Sequence, residues 1–153
     1  MIAFARINQL DLLRKIVGKV VIPKAVEVEI LEYSNTVYYG TIDLEQEKWI
    51  SVLPVHTEAQ VQLLLPTLDK GEAEVIALAL EKQAELVLID ELTGRKVAES
   101  LNLNILGSVG ILIRAKQMGE INAVKPFIDE MVRQGVRYSQ RFIVSILQRI
   151  GEL

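Results

Sequence analysis

Three carboxylates in this chain stand where carboxylates are costly, and one of them ends a buried strand. The apolar run Leu86-Val87-Leu88-Ile89 stops on Asp90 and Glu91. A continuous run of this kind reads as a strand covered on both faces, as in a parallel sheet. The segment Thr93 to Ala98 then opens a helix. Asp90 therefore falls at a strand-to-helix handover, in the crevice where open α/β sheets bind ligands. Helical phasing supplies two companions. Val26, Ile30 and Tyr33 form a buried stripe at i, i+4 and i+7, and Glu29 falls on it at i+3, whereas Glu27 points away. Glu72 heads a second stripe, shared with Val75, Ile76 and Ala79. A carboxylate on an apolar face is costly unless it is paired or bound to a cation. Glu29, Glu72 and Asp90, with Glu91 or Glu74, could converge on one end of a sheet. Such a cluster repels itself and at neutral pH calls for a divalent ion.

Each acid also has a plainer role. Asp69-Lys70-Gly71-Glu72 spells a capping box, in which Glu72 satisfies a helix end. Glu29 can snorkel to water or pair with a lysine. Asp90 can cap the next helix, although Thr93 is the more natural cap. Glu91 and Glu74 read individually as solvated. It is the coincidence of three acids that favours a site. Arg95-Lys96, beside a helix N-terminus, could meet a phosphate, Lys96 reading more readily as exposed surface. Gly107-Ser108-Val109-Gly110 lacks both the dinucleotide glycines and the P-loop lysine, so it reads as a strand-to-helix turn capped by Ser108. His56 reads as structural or solvated and Trp49 as core.

The elements that must position these acids alternate along one domain, residues 1–153. Half of the residues are hydrophobic and few are aromatic, which suits layered α/β packing. There is no cysteine, which excludes thiolate metal sites and thiol catalysis, and a single histidine argues against a triad. A net charge of −3 gives no global attraction to nucleic acid. No stretch has the length of a membrane span, and a cytoplasmic location is expected. Spacing predicts a helix from Ile2 to Val17, starting abruptly, then a strand at Lys19–Ile22 and a helix from Pro23 through Tyr33. Trp49–Val55 reads as a strand, followed by a helix around Leu63–Leu65 that breaks near Pro66. Asp69 opens the next helix. Beyond the Leu86–Ile89 strand and its helix lie a strand at Asn104–Leu106 and a helix from Ser108 to Gly119. Helices at about 124–134 and 139–150 end the chain. This order predicts a three-layer α/β/α sandwich with a mainly parallel central sheet.

Taken together, four segments resemble the PIN-like proteins related to VapC-type toxins. They are Val20-Val21-Ile22-Pro23 through Glu29, Asp69 through Ala79, Leu88-Ile89-Asp90-Glu91 through Ala98, and Leu106 through Leu112. The resemblance implies a metal-dependent endoribonuclease, the toxin of a toxin–antitoxin pair. Its partners would be an RNA substrate, a cognate antitoxin and a second copy of itself. Four acidic positions of that family hold one or two Mg²⁺ or Mn²⁺ ions, a preference that hard oxygen ligands and the lack of thiolates share. Glu29, Glu72 and Asp90 match three of them as catalytic metal ligands. Glu91 is a further candidate ligand and Arg95 a candidate substrate contact. One departure stands out. The family's first strand carries an aspartate in an Asp-x-Ser-Pro-Leu-like stretch, and Met1 to Ile7 matches the sequence just after it. The expectation is therefore a chain without that strand, cleaving RNA poorly or not at all. The alternative is a non-catalytic PIN-fold module that binds an antitoxin or itself. Phe127, Phe142, Ile143 and Ile146 could serve a dimer as well as a core.

Overall fold

A computed structural model describes residues 1–153. The chain opens with α1 (Ile2–Arg6) and α2 (Leu10–Val17), then β1 (Val20–Ile22) and α3 (Lys24–Thr36). After a long loop come β2 (Ile50–Val52), α4 (Glu58–Leu64) and α5 (Lys70–Lys82). The second half holds β3 (Val87–Leu88), α6 (Leu92–Ser100), β4 (Ile105–Leu106), α7 (Ser108–Gln117), α8 (Lys125–Arg133) and α9 (Gln140–Arg149). The fold is α/β, with every strand pairing parallel. β1 lies beside β2 in the register Val20↔Ile50, and β3 beside β4 in the register Val87↔Ile105. Parallel neighbours need a crossover, which α3 helps to form for the first pair and α6 supplies for the second.

The expected first helix is two. Asn8 adopts a left-handed backbone (φ 55°) between α1 and α2, a conformation asparagine tolerates better than most residues. The break turns Phe4 and Leu13 into the same core, both fully buried. Pro23 precedes α3 in extended conformation, and Ile30 pins the helix to the core. α5 is the central helix: Gly71, Ala73, Ile76, Ala77, Leu78 and Ala79 are all buried. Small side chains on that helix let neighbours approach closely.

Two apolar clusters organise the interior. The larger gathers Phe4, Leu13, Ile30 and residues of α7 and α8; the smaller surrounds Ile76, Val87, Ile89 and Ala98. The strands also fall into two separate sheets, β1-β2 and β3-β4. Between them lies a cavity of roughly 630 Å³, bordered by β1 on one side and Leu86–Leu88 on the other. Away from the cavity, Glu152 ties the last residues of the chain to the start of α8, accepting from Val124 N, Lys125 N and Lys116 Nζ. No helix is long and apolar enough to cross a membrane.

Candidate functional site

The capping box is formed: Asp69 Oδ1 accepts from Glu72 N at 2.8 Å and Glu72 Oε2 accepts from Asp69 N at 3.3 Å. That occupies only one side of the Glu72 carboxyl. Its Oε1 lies over Gly94, where an added Cβ would come within 3.1 Å. Glu91 is the N-cap of α6 and accepts from Gly94 N at 3.1 Å. The Glu72 and Glu91 carboxyls therefore both lie at Gly94, close enough for the charge of Glu91 to act on Glu72. Glu29, on α3, lays Oε1 against Gly71, so closely that a Cβ there would stand 2.2 Å away. Two glycines thus make room for two carboxylates. Burial pushes the Glu72 pKa up, and the negative charges of Asp69 and Glu91 push it further. Burial likewise raises that of Glu29, again with Asp69 adding to it, then Glu32. Asp69 is the shared neighbour through which the two glutamates sense one region of negative charge.

Asp90 belongs to a second group. Its Oδ1 accepts from Ser108 N at 2.7 Å and its Oδ2 from Ser108 Oγ at 2.6 Å, tying the end of β3 to the start of α7. Gly107 stands between Asp90 and Arg95: an added Cβ would lie 3.1 Å from Asp90 Oδ1 and 2.6 Å from Arg95 Nη1. Behind them the Tyr138 hydroxyl is pushed up to about 12, chiefly by burial and then by the Asp90 charge. The α-ammonium of Met1 is nearby, its pKa lowered by burial while Asp90 works the other way. Nowhere do three carboxylate or imidazole side chains close around a single point.

The family model for the PIN domain matches residues 1–152. The chain belongs to the PIN-domain family. No curated protein and no solved structure matches it. In this PIN domain the expected site residues fall into two sets, Glu29 and Glu72 on helices α3 and α5 and Asp90 just after β3. Glu72 and Glu91 both lie at Gly94, and Glu29 flanks them across Gly71. Asp90 and Arg95 adjoin each other at Gly107, and Asp90 spends both oxygens on Ser108. Glu74 joins neither set, because its Oε2 accepts from Ala25 N at 2.8 Å and so caps α3.

Two expected caps are different. Glu91, not Thr93, caps α6, since its longer side chain reaches Gly94 N from the end of the extended strand segment. Gly107, not Ser108, is the N-cap of α7, which frees the Ser108 hydroxyl to donate to Asp90. Tyr138 and the Met1 ammonium had no local signal at all, because each arrives from a distant part of the chain. Chemically, the Glu72–Glu91 pair offers hard anionic oxygens to a hydrated cation, and Arg95 offers a planar cation to an oxyanion.

Proposed function

We propose that this PIN domain is a Mg²⁺- or Mn²⁺-dependent endoribonuclease-like protein, the toxin of a toxin–antitoxin pair, with weak or no cleavage by the chain as given. The observation that carries the reading is the placing of the Glu72 and Glu91 carboxyls together at Gly94, in a chain of this family. Hard divalent ions such as Mg²⁺ keep most of their waters and are held by one or two carboxylates plus substrate phosphate. A pair of acids whose charges oppose each other suits such an ion; a closed cage of protein ligands does not fit these residues. Glu72 and Glu91 would hold the ion, with Glu29 flanking it through water. Bound there, it would acidify a water and offset charge on the phosphate being cleaved.

The chain's own residues supply the rest. Arg95 pairs with a phosphate oxygen, and its planar guanidinium sets the direction of approach. Asp90 keeps the strand end and α7 in register through Ser108, so that Arg95 is presented at a fixed place. Glu29, with its raised pKa, is suited to exchange a proton with water or a leaving oxygen. Calorimetric titration of Mn²⁺ and Mg²⁺, run beside cleavage of a single-stranded RNA, tests the reading. Saturable metal binding that is lost in Glu72→Gln and Glu91→Gln, together with whatever weak cleavage the chain has, is the expected result. No binding at millimolar metal would refute it.

A second reading draws on one observation. Both Asp90 oxygens are engaged by Ser108, which favours a non-catalytic PIN module that binds an antitoxin or a second copy of itself. Under that reading Asp90→Ala changes partner binding or stability and leaves no RNA cleavage to lose.

A further inference from the structure

The last stretch of the chain inverts its overall charge. Between Glu130 and Glu152 stand Arg133, Arg137, Arg141 and Arg149, with no carboxylate and no lysine, in a chain of net charge −3. Arg133 is taken by Glu130 on its own helix. Arg137, Arg141 and Arg149 are exposed, and no acid pairs with them. A solvated helix face ordinarily mixes charges of both signs. α9 does not. Ile143, Ile146, Leu147 and Ile150 turn inward to the core. The other side shows Gln140, Arg141, Ser145, Gln148 and Arg149, all exposed. Each of these side chains can donate a hydrogen bond, and none carries negative charge.

Aromatic rings are interleaved with the cations. An arginine–aromatic pair recurs four residues apart, as Arg137-Tyr138 and Arg141-Phe142. The two rings lie 5.8 Å apart with their planes inclined by 33°. Tyr138 turns its hydroxyl inward, to 3.7 Å from Sδ of the buried Met131, where the charge of Asp90 reaches it. Phe142 stays 39 % exposed. Stripes of positive charge that follow phosphates, beside a ring on which a base stacks, are how proteins hold single-stranded nucleic acid. Arg141 and Arg149 are about 12 Å apart along the helix axis, so they meet different phosphates of one strand. An acidic peptide would use the guanidiniums but bring no planar partner for Phe142.

We propose that the exposed face of α9, with Arg137 ahead of it, binds single-stranded RNA. The arginines hold phosphates, Phe142 stacks a base, and the strand is led toward the corner held by Asp90 and Arg95. The class of ligand rests on the nuclease reading; its place rests on the α9 face alone.

The probe is a dye-labelled oligouridylate of about ten nucleotides, titrated into the full chain by fluorescence anisotropy in EDTA, so that neither metal nor cleavage enters. Saturable binding is expected. Arg137→Gln and Arg141→Gln should each weaken it about threefold at low salt, and each should flatten the slope of log K against log salt by about 0.7. Phe142→Leu keeps an apolar side chain against Tyr138 and removes the flat ring; it should weaken binding about fivefold with the salt slope unchanged. Lys24→Gln, on α3, should bind like the wild type. Absence of saturable binding overturns the proposal, and so does unchanged binding in the arginine variants. Equal weakening by Lys24→Gln does the same, since bulk charge would then explain the effect. Displacement by oligoglutamate at equal concentration would make an acidic protein segment the occupant and refute the assignment to RNA. Tighter binding of the same strand in a duplex, whose paired bases leave Phe142 nothing to stack on, refutes it too. Calorimetry with Mn²⁺ separates this proposal from the nuclease reading. Arginine-independent RNA binding with metal binding intact defeats this proposal alone, and arginine-dependent RNA binding without metal binding defeats only the nuclease reading.

Discussion

Removing the Asp90 carboxylate should cost stability in a way that separates its geometry from its charge. Asp90→Ala deletes two hydrogen bonds, from Ser108 N at 2.7 Å and Ser108 Oγ at 2.6 Å. Ser108 is only 3 % exposed, so its hydroxyl has little water to turn to. Bonds to a charged acceptor can reach about 3 kcal/mol, but Asp90 is itself exposed and water competes for it, so about 1 kcal/mol each is reasonable. The loss of negative charge at the N-terminus of α7 adds about 0.5 kcal/mol. The sum, about 2.5 kcal/mol, lowers Tm by about 5–10 °C for a chain of this size. Asp90→Asn keeps both contacts, its carbonyl accepting from Ser108 N and its amide donating to Ser108 Oγ. Only the charge is lost, and the cost falls to about 1 kcal/mol. Thermal and urea unfolding of both variants, with the m-value checked for constancy, provides the assay. If Asp90→Ala unfolds within a degree of the wild type, or if the two variants are equally destabilised, the clamp between β3 and α7 is not what holds this corner together.

Glu72→Gln should stabilise the protein at pH 7. The folded state raises the pKa of Glu72 above its ordinary 4.5, so it binds that proton more tightly than the unfolded chain, and stability falls as pH climbs from there through the folded value. The amide keeps the capping box and abolishes that fall, as urea titrations between pH 4 and 8 would show; an unchanged slope would refute it. Glu152 carries the opposite sign. Burial works against its charge, but Lys116 and the N–H groups of Val124 and Lys125 win and hold its carboxyl below 4.5. Its stabilisation is present above pH 4.5 and disappears as pH falls through the lower folded value, and Glu152→Ala should cost about 2 kcal/mol at pH 7 by urea unfolding. Gly71→Ala should change stability by less than about 1 kcal/mol, because the gain in helix propensity offsets the displacement of the Glu29 carboxyl. If Glu29 flanks the cation, the same variant weakens Mn²⁺ binding in calorimetry.

Local signals were reliable where the physics is local. The Asp69–Glu72 box, the start of α3 after Pro23 and the cap of α9 by Ser139 depend on residues within one helical turn. The box formed as the spacing predicted, whereas α3 and α9 each begin one residue later than predicted, with Pro23 and Ser139 standing outside as N-caps. The continuous helix from Ile2 to Val17 did not form. Its apolar spacing is compatible with one helix or two, and packing of Phe4 and Leu13 into one core selects the break at Asn8. The strands are shorter than their apolar runs, since apolar periodicity marks which residues are buried and says nothing of where a ladder finds a partner. The caps at Glu91 and Gly107 were misplaced by a residue or two because the strand's exit angle decides which side chain reaches the orphan N–H groups.

Sequence alone determined the class of fold and the acids worth watching. Alternating strand and helix patterns admit few parallel arrangements, and helical phase marks Glu29 and Glu72 beside apolar stripes, although Glu29 is exposed and it is Glu27, expected to point away, that is half-buried. Tertiary structure decided how those acids divide. Whether Asp90 turns toward Glu72 or toward Ser108 depends on the placement of α7, and α7 follows from packing across the whole core. Tyr138 and Met1 reach Asp90 from opposite ends of the chain, and Glu29 lies against α5 only because Gly71 leaves space.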